Sequence, residues 1–211
     1  TGRKAVKLAK KVERASLTTE VIIGVAPQFT DIASITEAVS IPVFAQHVDP
    51  IKPGSHTGQI LLEAIKEVGA IGTLINHSER QLRLSEMDTI INNARKNKMV
   101  SVACAKNPKE SKAIAFFKPD IIAIEPPELI GTGISVSMAK PTIVTRTIRL
   151  VREINSEVII LCGAGISDGE DVEAAFKLGA QGVLVSSSIV KAKDKFETLC
   201  EFAKTIRNKE V

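Results

Sequence analysis

Seven short runs of β-branched and apolar residues punctuate the chain, and their order constrains the fold more than any other feature. They cover 21–26, 41–46, 72–76, 99–103, 120–124, 158–162 and 182–186. Each reads as a strand buried on both faces. Between them lie segments of helical spacing, two of which carry start signals: Asn107-Pro108 followed by Glu110, and Ser167 with Glu170 in the arrangement of a capping box. Strand and helix alternate along the whole chain, so βα crossovers and a parallel α/β sheet are expected, in one domain spanning 1–211.

Seven strands stand against eight helices if an opening helix over 4–14 and a closing one over 194–207 are counted. A closed barrel needs eight strands, each followed by its helix. The expected architecture is therefore a TIM (β/α)8 barrel whose first strand is absent from these residues. An open doubly wound sheet would also have to begin on a helix, and it would lack the usual glycine-rich first turn.

Composition narrows the function classes. No run of eighteen apolar residues occurs, and the first residues form a Lys/Arg-rich amphipathic stretch rather than a cleavable signal, so a cytoplasmic protein without a membrane partner is expected. Cys104, Cys162 and Cys200 are odd in number and contain no CxxC, which suggests neither a disulfide framework nor a zinc site. The net charge of +4 is scattered over helices, and a chain with no Trp or Tyr has little to stack on nucleic-acid bases.

In a parallel barrel the chemistry sits at the C-terminal strand ends. There the third run leads into Asn76-His77-Ser78-Glu79-Arg80, which puts an imidazole at a strand exit and at the start of a possible helical turn. Helix N-terminal amides disfavour protonation, so a neutral His77 could polarise a carbonyl. The fifth run ends in Glu125-Pro126-Pro127, a carboxylate beneath a proline-stiffened, glycine-bearing segment over 128–133. Such a base under a closing lid suits proton abstraction beside a carbonyl. The last two strand ends, Gly163-Ala164-Gly165 and Ser186-Ser187-Ser188, have the small side chains of phosphate-binding loops. On residue type alone, His77 reads equally as a capping or core histidine and Glu125 as a salt-bridged rim glutamate, whereas the two small-residue loops together favour phosphate binding over a tight turn.

NHSER at 76–80, EPPELIGTG at 125–133, GAGIS at 163–167, the serine pair at 186–187 and FAQHVDPIKPGSHTG at 44–58 together resemble the triosephosphate isomerase family in its shorter archaeal form. The resemblance covers nearly the whole chain. It implies an aldose-ketose isomerase, free of cofactor and metal, that interconverts dihydroxyacetone phosphate and D-glyceraldehyde 3-phosphate through an enediolate. Carried over residue by residue, it makes Glu125 the base and His77 the neutral electrophile, with Ile130, Gly131, Gly165, Ser186 and Ser187 holding the substrate phosphate. It implies a structural pairing for Glu79 near the site, a loop over 54–58 that reaches a neighbouring subunit, and a homo-oligomer, tetramer or dimer. His47 reads as a rim hydrogen-bonder. The family's Asn-x-Lys motif at a first strand end has no counterpart here, so a catalytically impaired phosphate-binding barrel or a truncated isomerase stands as the alternative. A different phosphate-barrel enzyme, such as a synthase or epimerase, would share the last two loops but not NHSER or the Glu-Pro-Pro segment.

Overall fold

The computed structural model describes residues 1–129 and 135–207. Its elements run α1 (Arg3–Thr19), α2 (Ile32–Thr36), β1 (Phe44–Ala45), α3 (Leu62–Glu67), β2 (Gly72–Ile75), α4 (Leu84–Lys96), β3 (Val100–Ala105), α5 (Pro108–Ala115), β4 (Ile121–Ile124), α6 (Val136–Ala139), α7 (Pro141–Arg152), β5 (Ile159–Cys162), α8 (Gly169–Lys177), β6 (Gly182–Val183), α9 (Ser187–Val190) and α10 (Lys195–Arg207). Short 3-10 turns cover Phe29–Asp31 and Pro127–Leu129.

All neighbouring strands are parallel and spatial order follows chain order, β1 to β6, so every connection is a crossover carrying helix. The sheet curls into a half-barrel, the arrangement of a TIM barrel. The strand residues Ile75, Ile122, Ile124 and Ile160 are essentially dry and cluster with buried residues of the helices that cover the sheet. Helices cover the outside because their apolar residues fall on one stripe. In α4, Met87, Ile90, Ile91 and Ala94 are buried, the i, i+3, i+4, i+7 pattern of a helix laid on a sheet. Two apolar clusters result, and Val25 and Ile148 pack against both.

The structure departs from the sequence reading at 21–26, at the cap of α8, and in the runs at 41–46 and 182–186, of which only Phe44–Ala45 and Gly182–Val183 are strand. Residues 21–26 form no strand; Val25 makes an isolated parallel bridge to Val43, with its amide donating to Pro42 O at 2.9 Å and its carbonyl accepting from Phe44 N at 2.8 Å. That segment is bonded along one edge, and Ile22 beside it is 87% exposed, so burial does not fix it as a strand. Among the described residues, six strands and a bridge thus stand where seven strands were expected. The capping box at Ser167 is displaced by one residue: Asp168 caps α8, accepting from Asp171 N, while Ser167 N donates to Asp171 Oδ2 at 2.8 Å. A carboxylate competes better than a hydroxyl for amides at the positive end of a helix. At His77 the possible helical turn is a single turn closed by Arg80 N donating to His77 O. No helix among the described residues is long and apolar enough to cross a membrane.

Candidate active site

The strand ends at β2, β3, β4 and β5 converge. Glu125 follows β4 directly, its amide donating to Ala105 O at 2.8 Å, and it is 4% exposed. Pro126 and Pro127 behind it begin a 3-10 turn in which Leu129 N donates to Pro126 O. A dry carboxylate here has a steric precondition on the next strand. A Cβ at Gly163 would stand 2.5 Å from Glu125 Cγ and 2.8 Å from Oε1, so only glycine leaves room for the side chain. Burial, the largest influence, pushes the Glu125 carboxyl above its ordinary pKa; the Cys104 thiol and His77 pull it back, and Glu79 adds to the rise.

His77 follows β2, and its Nε2 lies 3.9 Å from Glu125 Oε2. That oxygen is buried and has no hydrogen-bond partner among the described residues. On the other side of the ring, Glu79 N donates to His77 Nδ1 at 3.3 Å, and Arg80 N donates to His77 O at 2.8 Å. An imidazole nitrogen that accepts from an amide carries no proton, so the ring proton of this neutral tautomer sits on Nε2, facing Glu125. The possible helical turn behind His77 is a single turn, and α4 begins only at Leu84. One amide, rather than a helix terminus, sets the ring's tautomer. Glu79 contributes that amide; its carboxylate is 88% exposed and lies 3.7 Å from Nδ1, too far for a hydrogen bond.

The remaining expected residues divide. Ile130 and Gly131 lie outside the described residues. Gly165 follows β5 with φ +72°, a conformation that favours glycine. Ser186 and Ser187 are exposed at the start of α9, which follows β6. Because β5 and β6 are paired neighbours, the loops bearing Gly165 and the serines leave the same end of the sheet. Either side of 130–134, Lys140 Nζ meets Glu128 Oε1 at 2.5 Å, and Val136 N donates to Ala164 O at 3.1 Å. His47 lies off this centre, bonded through Nε2 to Asp49 Oδ1 at 3.1 Å. The sequence reading missed Asn76, Cys104, Lys106 and Glu110, which line a recess beside Glu125. Their joint position follows from strand register, which no local pattern reports.

A buried carboxylate facing a neutral imidazole at the C-terminal ends of a curled parallel sheet places the chain among the barrel enzymes. The triosephosphate isomerase family model matches residues 1–203. The triosephosphate isomerase of Methanocaldococcus jannaschii is 53% identical over 205 residues, covering 97% of this chain and 94% of that one. That of Methanothermus fervidus is 49% identical over 95% of this chain and 90% of its own, and that of Pyrobaculum arsenaticum 46% over 97% and 92%. The chain belongs to the triosephosphate isomerase family. Its activity is that of an aldose-ketose isomerase interconverting dihydroxyacetone phosphate and D-glyceraldehyde 3-phosphate.

Proposed function

We propose that Glu125 and His77 carry out this isomerisation. Glu125 removes a proton from C1 of dihydroxyacetone phosphate, and the electron pair moves into the C1–C2 bond. Negative charge then gathers on the C2 oxygen, where His77 Nε2–H donates a hydrogen bond. The proton shifts between the two enediolate oxygens and Glu125 returns its own to C2, which yields glyceraldehyde 3-phosphate with no net change of atoms. The observation that carries this reading is the 3.9 Å approach of His77 Nε2 to the unpartnered, buried Oε2 of Glu125. A carboxylate with a free lone pair and a raised pKa is suited to accept a proton from carbon.

Backbone amides of Gly165, Ser186 and Ser187, with Ile130 and Gly131, would hold the phosphate. The positive φ of Gly165 and the shared exit of the two loops support that assignment. The wider reading is a single barrel domain acting in the cytoplasm, in glycolysis and gluconeogenesis, as a homotetramer or dimer. The loop over 54–58, which the resemblance assigns to a subunit contact, is exposed to solvent. Turnover of Glu125→Gln tests the core assignment: a loss of about 10²–10⁴-fold is expected for a positioned general base, whereas wild-type turnover would refute it.

A further inference from the structure

We propose that Asn76 is a positioning residue for the isomerisation, holding the turn over 77–81 that fixes the tautomer of His77. The inference rests on the role given to His77 above.

The backbone of Asn76 has φ +60°, a left-handed conformation that glycine adopts without strain and asparagine better than most other residues. Glycine would therefore satisfy the backbone, and the side chain needs its own explanation. It is 6% exposed and bonds in three directions. Nδ2 donates to Cys104 O at 3.0 Å and to Glu110 Oε1 at 3.1 Å, and Oδ1 accepts from Leu82 N at 2.9 Å. The orientation of the amide is unambiguous, because a carbonyl and a carboxylate only accept and a backbone amide only donates.

Each bond ties a different part of the site. The Leu82 bond closes the segment 77–81 into a ring, and within it Glu79 N meets His77 Nδ1. The Glu110 bond anchors Asn76 to the start of α5, where Glu110 Oε2 accepts from Lys106 N and Glu110 N donates to Asn107 Oδ1. The Cys104 bond holds the carbonyl of a buried residue that neighbours the Glu125 carboxylate. One buried amide thus ties the end of β2, which presents His77, to β3, to α5 and to the far side of its own turn. Without it, the turn loses the bond across its base, Glu79 N is no longer held against Nδ1, and the ring can tautomerise or rotate.

Two variants in the full chain separate this role from simple stabilisation. Asn76→Gly keeps the left-handed backbone and removes all three bonds; Asn76→Asp keeps an acceptor for Leu82 N and loses the two donations. Isomerase kcat and KM, thermal melting, and long-range ¹H–¹⁵N correlations of the His77 ring are measured for both, with His77→Gln as the reference. A misplaced catalytic group costs on the order of 10²-fold, so Asn76→Gly should lower kcat by about that factor while changing KM little. Its His77 Nδ1 signal should move from the unprotonated position toward a tautomer mixture. Asn76→Asp should retain the wild-type tautomer and lose less turnover, and it decides the matter alone if Asn76→Gly does not fold. Wild-type kcat and an unchanged tautomer in Asn76→Gly, or a mixed tautomer in Asn76→Asp, would overturn the inference. If His77→Gln itself turns over normally, the role of His77 fails and this inference falls with it. If His77→Gln is impaired while Asn76→Gly is not, only the inference falls.

Discussion

Glu125 occupies space that any side chain at Gly163 would claim, since a Cβ there would stand 2.5 Å from Glu125 Cγ. Contacts that close force one partner to move, and Gly163 is held by its amide bond to Ile124 O at 3.0 Å. The carboxylate is the part that yields. Gly163→Ala should therefore displace Glu125 and lower kcat by about 10²-fold, the usual effect of a misplacement near 1 Å. Steady-state kinetics beside a thermal melt checks this; full turnover in Gly163→Ala would mean that the carboxylate does not need its present position.

The buried carboxylate also has a predictable effect on stability. Its pKa is raised in the folded protein, chiefly by burial, so the folded state binds the proton more tightly than the unfolded chain. That contribution is fully present below the ordinary carboxylate pKa and is lost as pH rises through the raised one. Glutamine has no charge to bury. Glu125→Gln should gain stability relative to the wild type as pH rises above the ordinary carboxylate pKa and through the raised one, then level off once the wild-type group is ionised. Urea melts across that range give the sign directly.

How much of this was legible in sequence can be followed residue by residue. The runs at 72–76, 99–103, 120–124 and 158–162 become β2 to β5 with small shifts at their ends, because each has a parallel neighbour on both sides and most of its residues are buried. The run at 21–26 has the same character but bonds along one edge, and neighbours are a tertiary property that composition does not carry. His77 and Glu125 stood out because chemistry in parallel barrels gathers at strand exits, and the structure brings them within 3.9 Å. Gly163 was read as part of a phosphate loop, yet the demand on it comes from a side chain 38 positions earlier, taking 163 minus 125. Asn76 and Glu110 stood in local motifs, but their joint place beside the site was not legible for the same reason: their bonds join β2, β3 and α5.

Thr147 offers a test of packing away from the site. It is fully buried on α7, and its hydroxyl has no hydrogen-bond partner among the described residues. Burying an unpaired hydroxyl costs about 1–3 kcal/mol, and valine has nearly the same shape. Thr147→Val should raise the melting temperature and leave isomerase turnover unchanged. A lower melting temperature would show that the hydroxyl is satisfied after all.

The thiols should be silent in the native protein. Burial and the neighbouring Glu125 carboxylate push the Cys104 thiol well above its ordinary pKa, and burial alone pushes Cys162 up to about 12. Thiolate is the reactive form, so alkylation of both at mildly alkaline pH should proceed at the rate of unfolding. Mass spectrometry with and without urea distinguishes this from direct reaction; fast labelling of Cys104 in the folded protein would contradict its buried placement.

Isomerisation in deuterium oxide tests most directly whether Glu125 carries the proton between the two carbons. A carboxylate that removes a carbon-bound proton and later returns one can exchange it with solvent in between, so NMR of the product from the full-length chain should show deuterium at the carbon that receives the proton. Glu125→Gln should abolish both turnover and this incorporation, while His77→Gln should slow turnover yet still incorporate deuterium. Product formed by Glu125→Gln at the wild-type rate, or wild-type product with no solvent deuterium at all, would contradict the proton-transfer account.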